Sequence, residues 1–114
     1  NPLFVEGQID GQVSMALGHP FLEEILMENG RTINPTWLDY RMPTIHDTAV
    51  SEHIDVITES YEADRPYRTK EVGEGYVSAI LAAIANAIYD AVGVRLFSTP
   101  FTPEKILKGL GKIK

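Results

Sequence analysis

The stretch Gly75-Tyr76-Val77-Ser78-Ala79-Ile80-Leu81-Ala82-Ala83-Ile84-Ala85-Asn86-Ala87-Ile88-Tyr89-Asp90-Ala91-Val92-Gly93 decides the fold. Val77, Ile80, Leu81, Ile84, Ile88 and Ala91 recur at three- and four-residue steps, the period of one helix face. Ala82, Ala83, Ala85 and Ala87 extend the apolar character, and Gly93 is placed to stop the helix in a left-handed cap. A helix over 77–92 carrying Asn86 and Asp90 falls short of the ~20 apolar residues a bilayer requires, so it reads as a core helix. Such a helix needs a partner surface to be stable.

Downstream, Thr102-Pro103-Glu104 opens a short last helix: Thr at the N-cap, Pro at the first position, Glu in the first turn. Upstream, Pro66 and its polar neighbours read as a loop. Ile54-Asp55-Val56-Ile57-Thr58 alternates and is β-branched, the pattern of a half-buried strand. Pro35 and Pro43 bracket Trp37-Leu38-Asp39-Tyr40, which is therefore extended or turning chain. Trp37 and Tyr40 read as packing anchors. Glu28-Asn29-Gly30-Arg31 is a hairpin signal, because Asn-Gly supplies the positive φ angles of a type I′ turn. Ile9, Val13, Ala16 and Leu17, then Leu22 and Ile25, recur at helical spacing, with Gly7, Gly11 and Gly18 inside and Pro20 as a breaker. The expected class is α+β: a long core helix and a kinked Gly-rich helix packed on a small antiparallel sheet of residues 24–33 and 54–58.

Composition bounds the function. A 114-residue chain with 44% hydrophobic and 23% charged residues is a single globular unit, residues 1–114. The four Lys and one Glu of residues 104–114 carry +3; subtracting that from the net −6 leaves −9 on residues 1–103, a body that repels a phosphate backbone. Nucleic acid and membrane are therefore not expected partners. With no Cys, disulfides and thiolate metal sites are excluded and a cytoplasmic location is the natural expectation. The abrupt apolar opening Asn1-Pro2-Leu3-Phe4-Val5 reads as the middle of something larger, with apolar surface that favours self-association or docking.

Chemistry has few places to sit. Lys70-Glu71-Val72-Gly73-Glu74-Gly75 precedes the long helix, whose first N–H groups are unpaired and suit an anionic ligand. Glu74, between two glycines, is either a general base beside a ligand-ready turn or simply a helix cap. Gln8 follows Gly7, and its amide can donate and accept at once; capping or solvation is the plain alternative. His19, His46 and His53 have no metal-ligand spacing, so no protein-ligated metal is expected. His46-Asp47 has no Ser to serve as a relay partner.

In order along the chain stand Asn1-Pro2, Val5-Glu6-Gly7-Gln8-Ile9-Asp10-Gly11, Leu17-Gly18, Asn34-Pro35, and Leu38-Asp39-Tyr40-Arg41-Met42-Pro43-Thr44. There follow Lys70-Glu71-Val72-Gly73-Glu74, Ala83-Ile84-Ala85-Asn86-Ala87-Ile88-Tyr89-Asp90-Ala91-Val92-Gly93 and Thr102-Pro103-Glu104-Lys105-Ile106-Leu107. This series resembles the carboxyl-terminal part of the large subunit of molybdenum hydroxylases, the xanthine dehydrogenase and aldehyde oxidase family. Gly73-Glu74-Gly75 is closer to the 4-hydroxybenzoyl-CoA reductase branch.

The resemblance implies a segment of a larger molybdenum-cofactor-binding domain, inactive alone. It implies that Glu74 matches the base of the Val-Gly-Glu motif and that Gln8 matches a glutamine that hydrogen-bonds molybdopterin. Val72 and Gly73 match the loop lining the molybdenum site. The implied cofactor is molybdenum-molybdopterin, plain or as the cytosine dinucleotide, with iron–sulfur clusters and FAD on other domains or subunits. The implied partners are the remainder of the molybdenum subunit, the iron–sulfur and flavin subunits, and a small-molecule substrate. The implied reaction is hydroxylation by water at an electron-poor carbon, or reductive dehydroxylation of an aromatic CoA thioester. A non-catalytic interaction module that keeps the fold is the alternative.

Overall fold

Asn1 and Pro2 set the first helix. Asn1 occupies the N-cap and its carbonyl accepts from the amides of Phe4 and Val5, while Pro2 takes the first helical position, where its missing N–H costs nothing. In this computed structural model, which describes residues 1–48, 63–68, 70 and 72–114, helix α1 runs Pro2–Ala16 and a second short helix, α2, runs Gly18–Phe21. The apolar opening is thus the first turn of a helix. The expected kink falls at Leu17, and Pro20 is accommodated inside the first turn of α2.

Strands β1 (Met27–Glu28) and β2 (Arg31–Thr32) pair antiparallel, Met27 with Thr32 and Glu28 with Arg31. The turn between them is Asn29-Gly30, with φ of 47° and 77°, the positive pair that Asn-Gly tolerates. Asn34 closes the hairpin base: its side-chain oxygen accepts the Leu26 amide at 2.9 Å and its nitrogen donates to the Glu24 carbonyl at 2.6 Å. Residues 66–68 form a 3₁₀ turn within the expected loop. The expected strand at 54–58 lies outside the described residues.

Helix α3 spans Gly75–Val92 and ends on Gly93 at φ 71°, whose N–H reaches the Tyr89 carbonyl. Its half-buried positions are Val77, Ile80, Leu81, Ile84, Ala85 and Ile88, the stripe the spacing predicts without Ala91. At 18 residues it is long and apolar enough to cross a membrane by length and composition alone, a test that a core helix also passes. The stripe lies against α1, with a smaller contact to α2. Here the expected packing is corrected. Among the described elements α3 packs on helices, and the hairpin strands contact only each other. The α+β class stands, but a two-residue strand exposes too little apolar face to cover a helix of five turns.

Beyond α3, Arg95 folds back, donating to Asn86 Oδ1 at 2.7 Å and lying 4.1 Å over the Tyr89 ring. Helix α4 (Pro103–Gly109) starts as predicted, with the Thr102 side chain accepting the Lys105 amide. The Lys105 ammonium donates to the carbonyls of Ser98, Thr99 and Pro100 at 3.3, 3.1 and 2.8 Å. Phe101 donates its amide to the Pro20 carbonyl, tying this segment to α2.

Among the described residues the buried set is small: Ile9, Ala16, Val94 and Phe101, with Gly18, Pro20 and Pro100 and the polar Gln12 and Asn34. The accessible surface is 9295 Å², against about 6,200 Å² for a compact monomer of this mass. Leu3, Phe4, Leu38, Ile45 and Phe97 are among the large side chains left exposed. Trp37, expected as an anchor, is 78% exposed and instead lines an open groove with Ile25, Tyr40 and Met42.

Candidate functional site

The inward face of α1 is Ile9, Gln12 and Ala16. A stripe of spacing three and four fixes which side of the helix meets α3, and it leaves Gln8 on the flank. Gln8 is exposed and lines an open groove of 430 Å³ with Asn1, Phe4, Val5 and Val72. Two of the sequence-predicted residues, 64 positions apart, therefore share one groove.

Gly73 follows Val72 and is half-buried; a Cβ added there or at Gly75 would meet nothing within 4 Å. That side of the turn is open to whatever approaches. Glu74 is the N-cap of α3, at φ −68° and ψ −1°, and its carbonyl accepts the Val77 amide. Its side chain is exposed and makes no capping hydrogen bond. The carboxylate is thus not engaged in the role that would explain it structurally.

Sequence reasoning missed Gln12. It is 5% exposed, its Oε1 accepts the Tyr76 amide at 3.3 Å, and its buried Nε2 has no partner among the described residues. A polar residue among apolar helix positions was the available signal.

Of the described histidines neither His19 nor His46 lines this groove. His19 sits in α2, His46 lies in a surface turn and His53 is outside the described residues. Asp47, beside His46, is spent on the turn: its Oδ2 accepts the Thr44 amide and hydroxyl, both at 2.8 Å. The amide bond is the main cause of its carboxyl being held below the usual range. Among the described residues no group of three or more His, Asp or Glu is arranged to hold a metal. The groove accordingly offers the Gln8 amide among the apolar side chains of Phe4, Val5 and Val72, with Gly73 and the exposed Glu74 carboxylate next along the chain, a mostly apolar lining with one directed polar group of the kind an organic cofactor uses.

A sequence model of a molybdopterin cofactor-binding domain matches residues 1–49, which include Gln8 and Gln12. The xanthine dehydrogenase molybdenum-binding subunit of Escherichia coli O157:H7 is 36% identical over 108 residues, 93% of this chain. The chain belongs to the xanthine dehydrogenase family of molybdenum-binding subunits. Within the same family, the aldehyde oxidoreductase molybdenum-binding subunit of Escherichia coli K12 is 30% identical over 112 residues, 96% of this chain. The crystal structure of quinoline 2-oxidoreductase from Pseudomonas putida 86 superimposes with a TM-score of 0.80 at 29% identity, covering 98% of this chain. This chain spans 14% of the first relative, 15% of the second and 14% of the solved chain.

Proposed function

We propose that this chain supplies part of the catalytic molybdenum subunit of a molybdenum hydroxylase, with Glu74 as its base and Gln8, Val72 and Gly73 as cofactor contacts. The observation that carries this reading is that Gln8 and Val72 line one groove, and that Glu74, two residues after Val72, has an exposed side chain that makes no capping bond. When bound, molybdenum-molybdopterin supplies the two-electron chemistry and the transferred oxygen. The Gln8 amide gives a heteroaromatic cofactor edge both a donor and an acceptor. Gly73 lets the backbone come close, since no Cβ intervenes and nothing packs there. A Glu74 carboxylate oxygen takes up the proton released as oxygen is added to an electron-poor substrate carbon, or returns it in the reductive dehydroxylation of an aromatic CoA thioester.

The Gly73-Glu74-Gly75 sequence favours the 4-hydroxybenzoyl-CoA reductase branch. The cytosine dinucleotide form of the cofactor, iron–sulfur and flavin partners, and a cytoplasmic location belong to the same reading. The exposed Leu3, Phe4, Ile45 and Phe97 are the surface on which the remainder of the molybdenum subunit would sit, and the isolated chain would be inactive and self-associating.

The test is Glu74→Gln in the complete subunit, with molybdenum content measured beside turnover. Loss of a base lowers turnover about 10²–10⁴-fold at unchanged molybdenum content. A fall of less than about tenfold, below that range, would return Glu74 to a structural role.

A further inference from the structure

Gln12 is a buried amide where α1 meets α3, a place where an apolar side chain would pack without desolvating anything. What the amide adds is one directed bond, from the Tyr76 N–H to Oε1 at 3.3 Å, joining residues 64 positions apart. Tyr76 is the second residue of α3, and an amide there has no acceptor within its own helix. Gln12 satisfies it.

The register of this bond matters. Gln8 lies one turn before Gln12 on neighbouring positions of α1, and Val72 lies four residues before Tyr76. Gln8 shares a groove with Val72, and Gln12 bonds Tyr76, so the two contacts run in step. Gly73 and Glu74 lie between them. With glycine on both sides, and nothing within 4 Å of an added Cβ at either, local packing does little to hold Glu74. Apolar contacts between helices permit sliding, whereas a hydrogen bond fixes one position along the axis.

We infer that Gln12 is a positioning residue: by holding the Tyr76 amide it sets the turn at 72–74 in register with Gln8 and so aims Glu74. This rests on the reading of Glu74 as a base. Misplacing a reacting group by an ångström lowers the rate without removing any catalytic atom.

The test uses the complete molybdenum subunit and three readouts: amide hydrogen exchange over residues 72–77, molybdenum content, and kcat per bound molybdenum. Gln12→Leu is expected to speed exchange at Tyr76 and to lower kcat per molybdenum about ten- to a hundredfold, with KM little changed. Gln12→Glu keeps an acceptor for the Tyr76 amide, removes the unpaired buried donor and places a carboxylate at a helix head; it should restore both exchange protection and kcat. If Gln12→Leu does not accumulate, Gln12→Met keeps the length, lacks the acceptor and carries the same test. Unchanged exchange overturns the inference, as does lost protection with wild-type kcat per molybdenum. Glu74→Gln measured in parallel separates the two ideas: full turnover there refutes the base, while the exchange data still report whether Gln12 holds the turn.

Discussion

The Tyr40 hydroxyl donates to the Glu23 carboxylate at 2.6 Å, joining the proline-bracketed segment to the chain just after α2. That bond is the main reason the phenol ionises above its ordinary value of 10.0: losing its proton would leave two anions in contact. The protonated phenol is the form the fold prefers. Its contribution to stability is therefore fully present below the unfolded-state value and is lost as pH rises through the raised one. Tyr40→Phe should cost about 1 kcal/mol in denaturant unfolding at neutral pH, and the alkaline loss of that increment should be absent from the variant. An ultraviolet titration in which the step lost in the variant lies at or below the ordinary tyrosine range would contradict this.

Asn34 is nearly buried and serves two backbone groups with one amide. Asn34→Ala leaves the Leu26 N–H and the Glu24 carbonyl without their partner, at an expected cost of about 2–3 kcal/mol. Asn34→Asp retains the acceptor for Leu26 and loses the donor to Glu24, so its cost should be smaller. Equal costs for the two substitutions would show that the acceptor is idle.

Glycines on the same helical run should behave oppositely. A Cβ at Gly18 would collide with the Glu23 side chain and lie 2.9 Å from the Pro43 ring, so Gly18→Ala should destabilise by about 1–3 kcal/mol. A Cβ at Gly7 or Gly11 meets nothing within 4 Å, and helix propensity alone predicts a gain of up to about 1 kcal/mol there. In the complete subunit, cofactor loading that falls in Gly7→Ala or Gly11→Ala would reveal a neighbour pressed against that face.

Thr102 accepts the Lys105 amide at 3.3 Å as the cap of α4. Thr102→Ala should cost about 1 kcal/mol and raise hydrogen exchange in the first turn of that helix, while Thr102→Ser should keep most of the protection.

Local chemistry was readable wherever one residue type answers one backbone demand. Asn29-Gly30, Gly93 and Thr102-Pro103 each fall where positive φ, a left-handed stop or an N-cap is needed. Asn1-Pro2 carries the same kind of signal, N-cap then proline, and the helix it starts is the first turn of α1. The stripe on α3 was readable because its period is strong; its partner was not, since periodicity says that a face is covered and not by what. Gln12 was hidden for a related reason. A glutamine in a helical run reads as solvated unless the opposing N–H, 64 residues away, is known to be there. For the site, motif order pointed to Gln8, Val72, Gly73 and Glu74, while the shared groove of Gln8 and Val72 emerges only when α1 is laid against α3.

An ammonium has three protons to give, and Lys105 gives them to three consecutive carbonyls, those of Ser98, Thr99 and Pro100. An amine must shed a proton and turn its lone pair outward before it can attack an acylating reagent. At Lys105 that means unwrapping the strand of carbonyls coiled around it, whereas Lys108, Lys112 and Lys114 stand exposed on the same tail. Acetylation, whether by an enzyme or by an activated ester, should therefore mark the end of the chain in a fixed order, with Lys105 last.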